Sequence, residues 1–187
     1  MNDPVRDDGV TREELHTREI AIRGWKRSDG LYEIEGRLVD TKPFDFQPVS
    51  GDRVIGTRQP IHDMGVRIVY DDAMTVRDVI AVGHALPYDG CAAGPATLKS
   101  LIGLSMTKGW TAETRKRLAG AASCVHLAGL MTPMAAAAFQ SMVVLRIEQR
   151  KGTGHTPNVD SCIAYARHGE LMRTRYPAFY IAKADDE

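Results

Sequence analysis

The hydrophobic periodicity of this chain changes once, near Pro87, and that change limits the folds open to it. Before Pro87 apolar residues recur at every second position, the period of strands; after it they recur at the spacing of helices. Strands gathered in one half and helices in the other predict an α+β fold.

The strand half reads as an antiparallel meander. Arg18 to Trp25 alternates, and Ser28-Asp29-Gly30 supplies a turn, so this run forms a hairpin with the one that follows. In that second run, Leu31 to Phe46, Tyr32, Ile34, Gly36 and Leu38 share one face; Glu33, Glu35, Arg37 and Val39 share the other. A third strand spans Ile61 to Tyr70, with His62, Met64, Val66, Ile68 and Tyr70 on one face and Asp63 and Arg67 opposite. Asp71-Asp72 makes the next turn, and Thr75 to His84 is the fourth run.

Beyond Pro87, Pro95 suits the first turn of a helix running to about Leu104. Thr111 is placed to cap a basic helix. A long helix follows from about Ser123 to Arg150, with Leu127, Leu130, Met131, Met134, Ala138 and Met142 at helical spacing and a break or kink expected at Pro133. Short strands are expected around Ile163 to Ala166 and Leu171 to Arg173. The predicted architecture is an antiparallel sheet of four to six strands covered on one face by about three helices. Residues 1–17 read as a flexible N-terminal arm and 18–187 as a single domain.

Three element openings carry residues that bind metals. Ser123-Cys124-Val125-His126 opens the long helix, Cys91 lies in a Gly/Pro-rich turn opening another, and His62-Asp63 starts a strand. His62, Cys91, Cys124 and His126 are therefore the candidate ligands of one divalent ion, zinc or iron. A buried thiol and a hydrogen-bonded histidine are the plainer alternative. A helix N-terminus also stabilises a thiolate, so Cys124 is a candidate nucleophile with His126 as base. Asp63 is the candidate general base for a metal-bound water, with a turn-capping role as its alternative. Arg23, Arg37, Arg67 and Lys42 are candidates to hold an anionic substrate. For the polar stretch Glu35, Asp40 and Lys42, a solvated strand face is the commoner explanation. Cys162 reads as buried and inert, and His84 as an alternate ligand.

Composition narrows the classes. Lys plus Arg and Asp plus Glu balance at 24 each, which argues against nucleic acid or a membrane surface as partner. The opening residues lack the pattern of a secretory leader, and three cysteines suit a reducing cytoplasm better than a disulfide framework. No GxGxxG, P-loop, HExxH, GxSxG or CxxC occurs.

Two resemblances rest on these residues. Asp29-Gly30-Leu31-Tyr32-Glu33-Ile34-Glu35-Gly36, Asp40-Thr41-Lys42, Pro60-Ile61-His62-Asp63-Met64 and Ser123-Cys124-Val125-His126-Leu127 resemble a bacterial family known only as a domain of unknown function. That resemblance implies a setting in the breakdown of aromatic compounds. Residues 59–142 resemble the fold of NifU-type iron–sulfur cluster scaffolds, with His62-Asp63, Cys91, and Cys124 with His126 at the three ligand positions. Two Cys and two His in place of an all-thiolate set suit a single ion better than a cluster. The functional expectation is a metal-dependent hydrolase acting on a small anionic metabolite, a phosphorylated or carboxylated aromatic, in catabolism. A metal or iron–sulfur carrier and an accessory subunit with a structural metal are the alternatives, and a homo-oligomer is left open.

Overall fold

The computed structural model describes residues 9–49, 51, 53–149 and 158–183. Four strands, β1 (Thr17–Lys26), β2 (Tyr32–Thr41), β3 (His62–Tyr70) and β4 (Val76–Ala85), form one antiparallel sheet in the order β1-β2-β3-β4. The helices are α1 (Gly94–Thr97), α2 (Trp110–Leu118), α3 (Val125–Gln149) and α4 (Glu170–Arg175), joined by short 3-10 turns. The α+β class and the meander follow the periodicity. By contacts the chain divides into two compact units, Met1–Met142 and Val143–Glu187, with the boundary inside α3.

Alternation decides which face of the sheet is covered. Ile34, Leu38, Met64, Ile68 and Tyr70 are almost completely buried, whereas Arg37 between them is exposed. The even-numbered face of β2 and β3 thus meets α3, whose Leu127, Leu130, Met131, Met134, Ala138 and Met142 are all buried. Trp110 ties α2 to this layer by donating its indole N–H to the Met131 carbonyl at 2.8 Å. Of the kink or break expected at Pro133, the break does not occur: α3 runs on through it. Each large side chain of the stripe contributes roughly 1.5–3 kcal/mol on burial, so together they outweigh the roughly 3 kcal/mol that an interior proline costs. By length and composition α3 is also apolar enough to cross a membrane; within the first unit that apolar stripe is covered by the sheet.

Several local expectations change. β2 ends at Thr41 rather than Phe46, and Phe46 instead makes an isolated bridge with Ile55. α2 is capped by Gly109 in the left-handed conformation, φ 70°, a backbone state that glycine adopts without penalty. Thr111 lies inside the helix. The helix expected from Pro95 stops at Thr97 and passes into a 3-10 turn over Leu98–Leu101. In the second unit the expected strands are a 3-10 turn, Ile163–Tyr165, and α4. Short apolar runs fit either period, and here local i to i−3 and i to i−4 bonding prevails. Cys162 is exposed rather than buried, and all three cysteines are free.

Close approach of α3 to the sheet is written at two glycines. A Cβ on Gly24 would stand 2.0 Å from Ser141 Oγ and 2.9 Å from its Cβ, while one on Gly36 would meet the Met134 sulfur at 2.7 Å. The Ser141 Cβ is fixed to the helix backbone, but a methionine can rotate away. Gly24→Ala is therefore expected to destabilise by about 1–3 kcal/mol and Gly36→Ala by clearly less, read from urea melts of both. Equal costs would mean that α3 does not pack at this distance.

Candidate metal centre

The cluster begins with one cross-strand rung. Arg18 of β1 faces Asp40 of β2, and Asp40 faces His62 of β3. All three positions belong to the covered face, because Asp40 continues the series Ile34, Gly36, Leu38. Asp40 is 2% exposed. Arg18 forks onto it, Nε to Oδ1 at 2.7 Å and Nη2 to Oδ2 at 2.8 Å, and the His62 Nδ1 lies 2.9 Å from Oδ2. His16 adds its Nε2 at 3.2 Å from Oδ1.

α3 supplies the second half. The helix begins at Val125, so Cys124 precedes it and His126 stands in its first turn. This resolves the spacing problem of a Cys-x-His pair, because residues two apart inside a helix would diverge. The His126 ring lies 3.8 Å, centroid to centroid, from that of His62, and its Nε2 is 3.9 Å from Asp40 Oδ2. Donor atoms of Asp40, His62 and His126 all fall within 4.8 Å of one another. The Cys124 Sγ is 3.8 Å from His126 Nδ1 and 4.0 Å from the Met64 sulfur.

A cavity of about 340 Å³ opens beside the cluster, lined among others by His62, Cys91, Cys124 and His126. The four residues singled out by the sequence thus meet around one space. α1 closes its wall so tightly that a Cβ on Gly94 would lie 2.9 Å from Cys124 Cβ, and Thr97 Oγ1 meets Ser123 Oγ at 2.6 Å. The grouped donors nevertheless differ from the expected set. Asp40 joins the two histidines, and neither thiol is part of the group within 4.8 Å. Periodicity held the signal for Asp40, since its parity puts it on the buried wall. His16, in the stretch read as a flexible arm, had no such signal.

The expected base is elsewhere. Asp63 follows His62 in unbroken register against β2, opposite Val39, so it points to the other face, where Arg37 forks onto it at 2.8 and 2.6 Å. A carboxylate held there cannot reach a water beside His62. Arg23, Arg37 and Arg67 line a different cavity, on that opposite face. Lys42 sits 5.3 Å from the ring centres of both Phe44 and Phe46. His84 is exposed and acts on Asp63 through its charge.

Electrostatics suit ligation. Burial pushes the pKa of both His62 and His126 below the ordinary value, and for His126 the neighbouring His62 adds to it. Both rings are thereby favoured as neutral imidazoles, the form that binds metals. Burial alone would raise the pKa of Asp40, but the Arg18 hydrogen bonds and charge, with His62 and His16, more than offset it and hold the carboxylate ionised. An ionised carboxylate only accepts, so His62 Nδ1 carries the hydrogen and Nε2 keeps its lone pair.

Comparison with known proteins adds a family and little else. The profile of the family described as "Protein of unknown function (DUF2889)" matches residues 16–140, a span holding every residue of the cluster. No curated protein and no solved structure matches, so the likeness to iron–sulfur scaffolds finds no counterpart there.

These shifts set a pH dependence. A histidine whose folded pKa lies below its unfolded value, near 6.5, binds fewer protons folded than unfolded, so stability rises with pH through that window. In the presence of a chelator, the melting temperature should fall between pH 7 and 5.5. The His62→Gln/His126→Gln double variant should show a flatter profile. Asp40 contributes in the opposite region, its stabilisation being lost only as pH falls below the ordinary carboxylate value of 3.8. A profile as steep in the double variant as in the parent would exclude the two rings as its source.

Proposed function

From a chain that belongs to the family of unknown function DUF2889, and so inherits no activity from it, we propose a metal-dependent hydrolase acting on a small metabolite. The ion is held by His62 and His126, with Asp40 as the carboxylate of the set. One observation carries this reading: two half-buried, neutral-leaning imidazoles and a buried, ionised carboxylate converge within 4.8 Å at the edge of a cavity large enough for a small molecule. Three protein donors leave coordination positions for water, as in catalytic rather than closed structural sites. A zinc or iron ion in that place would polarise a substrate oxygen and lower the pKa of bound water.

The residues around the ion have separate tasks. Arg18 keeps Asp40 charged, as an anionic ligand must be. The cavity wall of Cys91, Gly94 and Thr97 limits substrate size. The arginines expected to hold an anion lie on the other face of the sheet, so anionic character of the substrate has no support at this site.

A second reading rests on the 3.8 Å separation between Cys124 Sγ and His126 Nδ1. At the start of a 25-residue helix that thiol is placed for activation as a nucleophile, with His126 as base. Reagents separate the two. Metal-dependent activity is lost with chelators and survives thiol alkylation, whereas thiol catalysis behaves in the reverse way.

Elemental analysis tests the ligand set directly. The purified protein should carry about one zinc or iron per chain. His62→Ala and His126→Ala should lose it, and Asp63→Asn should keep it. Cys124→Ser should also keep it; loss there would move the thiol into the ligand set. Absence of stoichiometric metal after incubation with zinc or ferrous ion would sink the metallohydrolase.

A further inference from the structure

The two edges of the sheet are finished differently. β4 closes one of them. Its pairing with β3 shifts register near both ends, and its outer side is partly taken. There the Val76 N–H donates to the Leu104 carbonyl at 2.9 Å, and the Gly103 N–H donates to the Val76 carbonyl at 2.9 Å. β1 closes the other edge, with ten residues in unbroken register on β2 and no proline. Among the described residues nothing pairs with its outer side. Every second residue of β1 therefore turns its N–H and C=O away from the sheet, a template for another strand. Proteins ordinarily shorten, bend or cover an edge of this length.

The side chains of β1 choose the partner. On the open face Glu19 and Arg23 are exposed, and neither makes a hydrogen bond or ion pair among the described residues. Within the sheet Glu19 faces Val39. Arg23 faces Glu35, whose carboxylate accepts from the Trp25 indole N–H at 3.1 Å. On the other face Ile20 is 46% exposed and Ile22 half-buried, while Arg18 is committed to Asp40. One face of the edge thus offers a charge of each sign, and the other offers two β-branched apolar side chains.

We propose that β1 pairs antiparallel with β1 of a second copy about a two-fold axis at Ala21, joining two four-stranded sheets into one. Residues opposite one another in such a pair turn their backbone groups the same way, so the axis must be centred on a residue. An axis at Ala21 sets Glu19 opposite the partner's Arg23 and Ile20 opposite the partner's Ile22, each twice by symmetry. Trp25, 50% exposed, then faces the partner's Thr17. Other registers are poorer. An axis at Ile22 opposes Arg18 to Lys26, one at Glu19 or Arg23 brings like charges together, and one at Ile20 leaves both charges unmatched. Exposed ion pairs add little affinity; here they select the register, while the backbone ladder and the isoleucines hold the contact. A foreign strand would have to carry the complementary charges at this spacing, and β1 carries them itself.

Sedimentation of the full chain from micromolar to millimolar concentration is the test. One strand edge per subunit is a contact at the small end of specific interfaces, so a monomer–dimer equilibrium in the micromolar range is expected. Glu19→Arg and Arg23→Glu should each weaken it by about tenfold or more, because each sets like charges opposite one another twice. The double variant Glu19→Arg/Arg23→Glu should restore it. Both side chains are exposed, so melts of the variants in dilute solution should match the parent and exclude a folding defect. A monomer at every concentration, or a dimer indifferent to both single reversals, overturns the proposal. Loss in the single variants without rescue in the double overturns the Ala21 register and the proposal with it. Protection of the outward β1 amides from hydrogen exchange in a monomer also overturns it, and would assign the edge to a segment of the same chain.

Discussion

A single buried carboxylate organises the candidate site. Taking Asp40 out of water would by itself favour its neutral form, and an unpaired charge at such depth is not tolerated. The Arg18 fork supplies the compensation, and it can do so because the register of β1 on β2 sets Arg18 directly opposite Asp40. The same rung continues to His62, so the strand pairing that builds the sheet also sets this carboxylate beside the histidine ring. α3 then brings His126 over the end of that rung. A slip of one residue in β2 would turn Asp40 to the open face and dissolve the cluster.

The sheet separates two chemistries by parity. Even-numbered positions of β2 and β3 carry the apolar layer that α3 covers and end in Asp40 and His62. Odd-numbered positions carry Glu33, Glu35, Arg37, Asp63 and Arg67. His62 and Asp63 are neighbours in sequence and lie on opposite sides of the protein's only described sheet, and that alone removes Asp63 from the histidines. The same rule collects Arg23, Arg37 and Arg67 in one groove, since cross-strand partners share a face.

Much of this was legible along the chain. The faces of β2 and β3, the apolar stripe of α3 and the candidate ligands His62, Cys91, Cys124 and His126 follow from spacing and residue type. Asp40 was legible in principle, being the next even position after Leu38, yet a charged residue near a strand end is more often solvated. His16 carried no signal, because its neighbours in the arm have no period to place it. The short runs around Ile163 and Leu171 misled because local propensity is weak beside a competing local hydrogen-bond pattern.

Elements and faces are properties of short windows, since backbone stereochemistry imposes periods of 2 and 3.6 on any sequence that buries one side. The sequence by itself therefore determined that this chain makes a one-sided antiparallel sheet followed by helices, and which side chains belong to each wall. Convergence is a different quantity. Asp40 and His62 are 22 residues apart, and His126 arrives from another layer; their 4.8 Å grouping depends on strand register and on where α3 lands. Only the tertiary structure decided that Asp40 joins the histidines, that the arginines do not, and that the thiols line the cavity without entering the group. Those distances are set by long-range packing, which no local window contains.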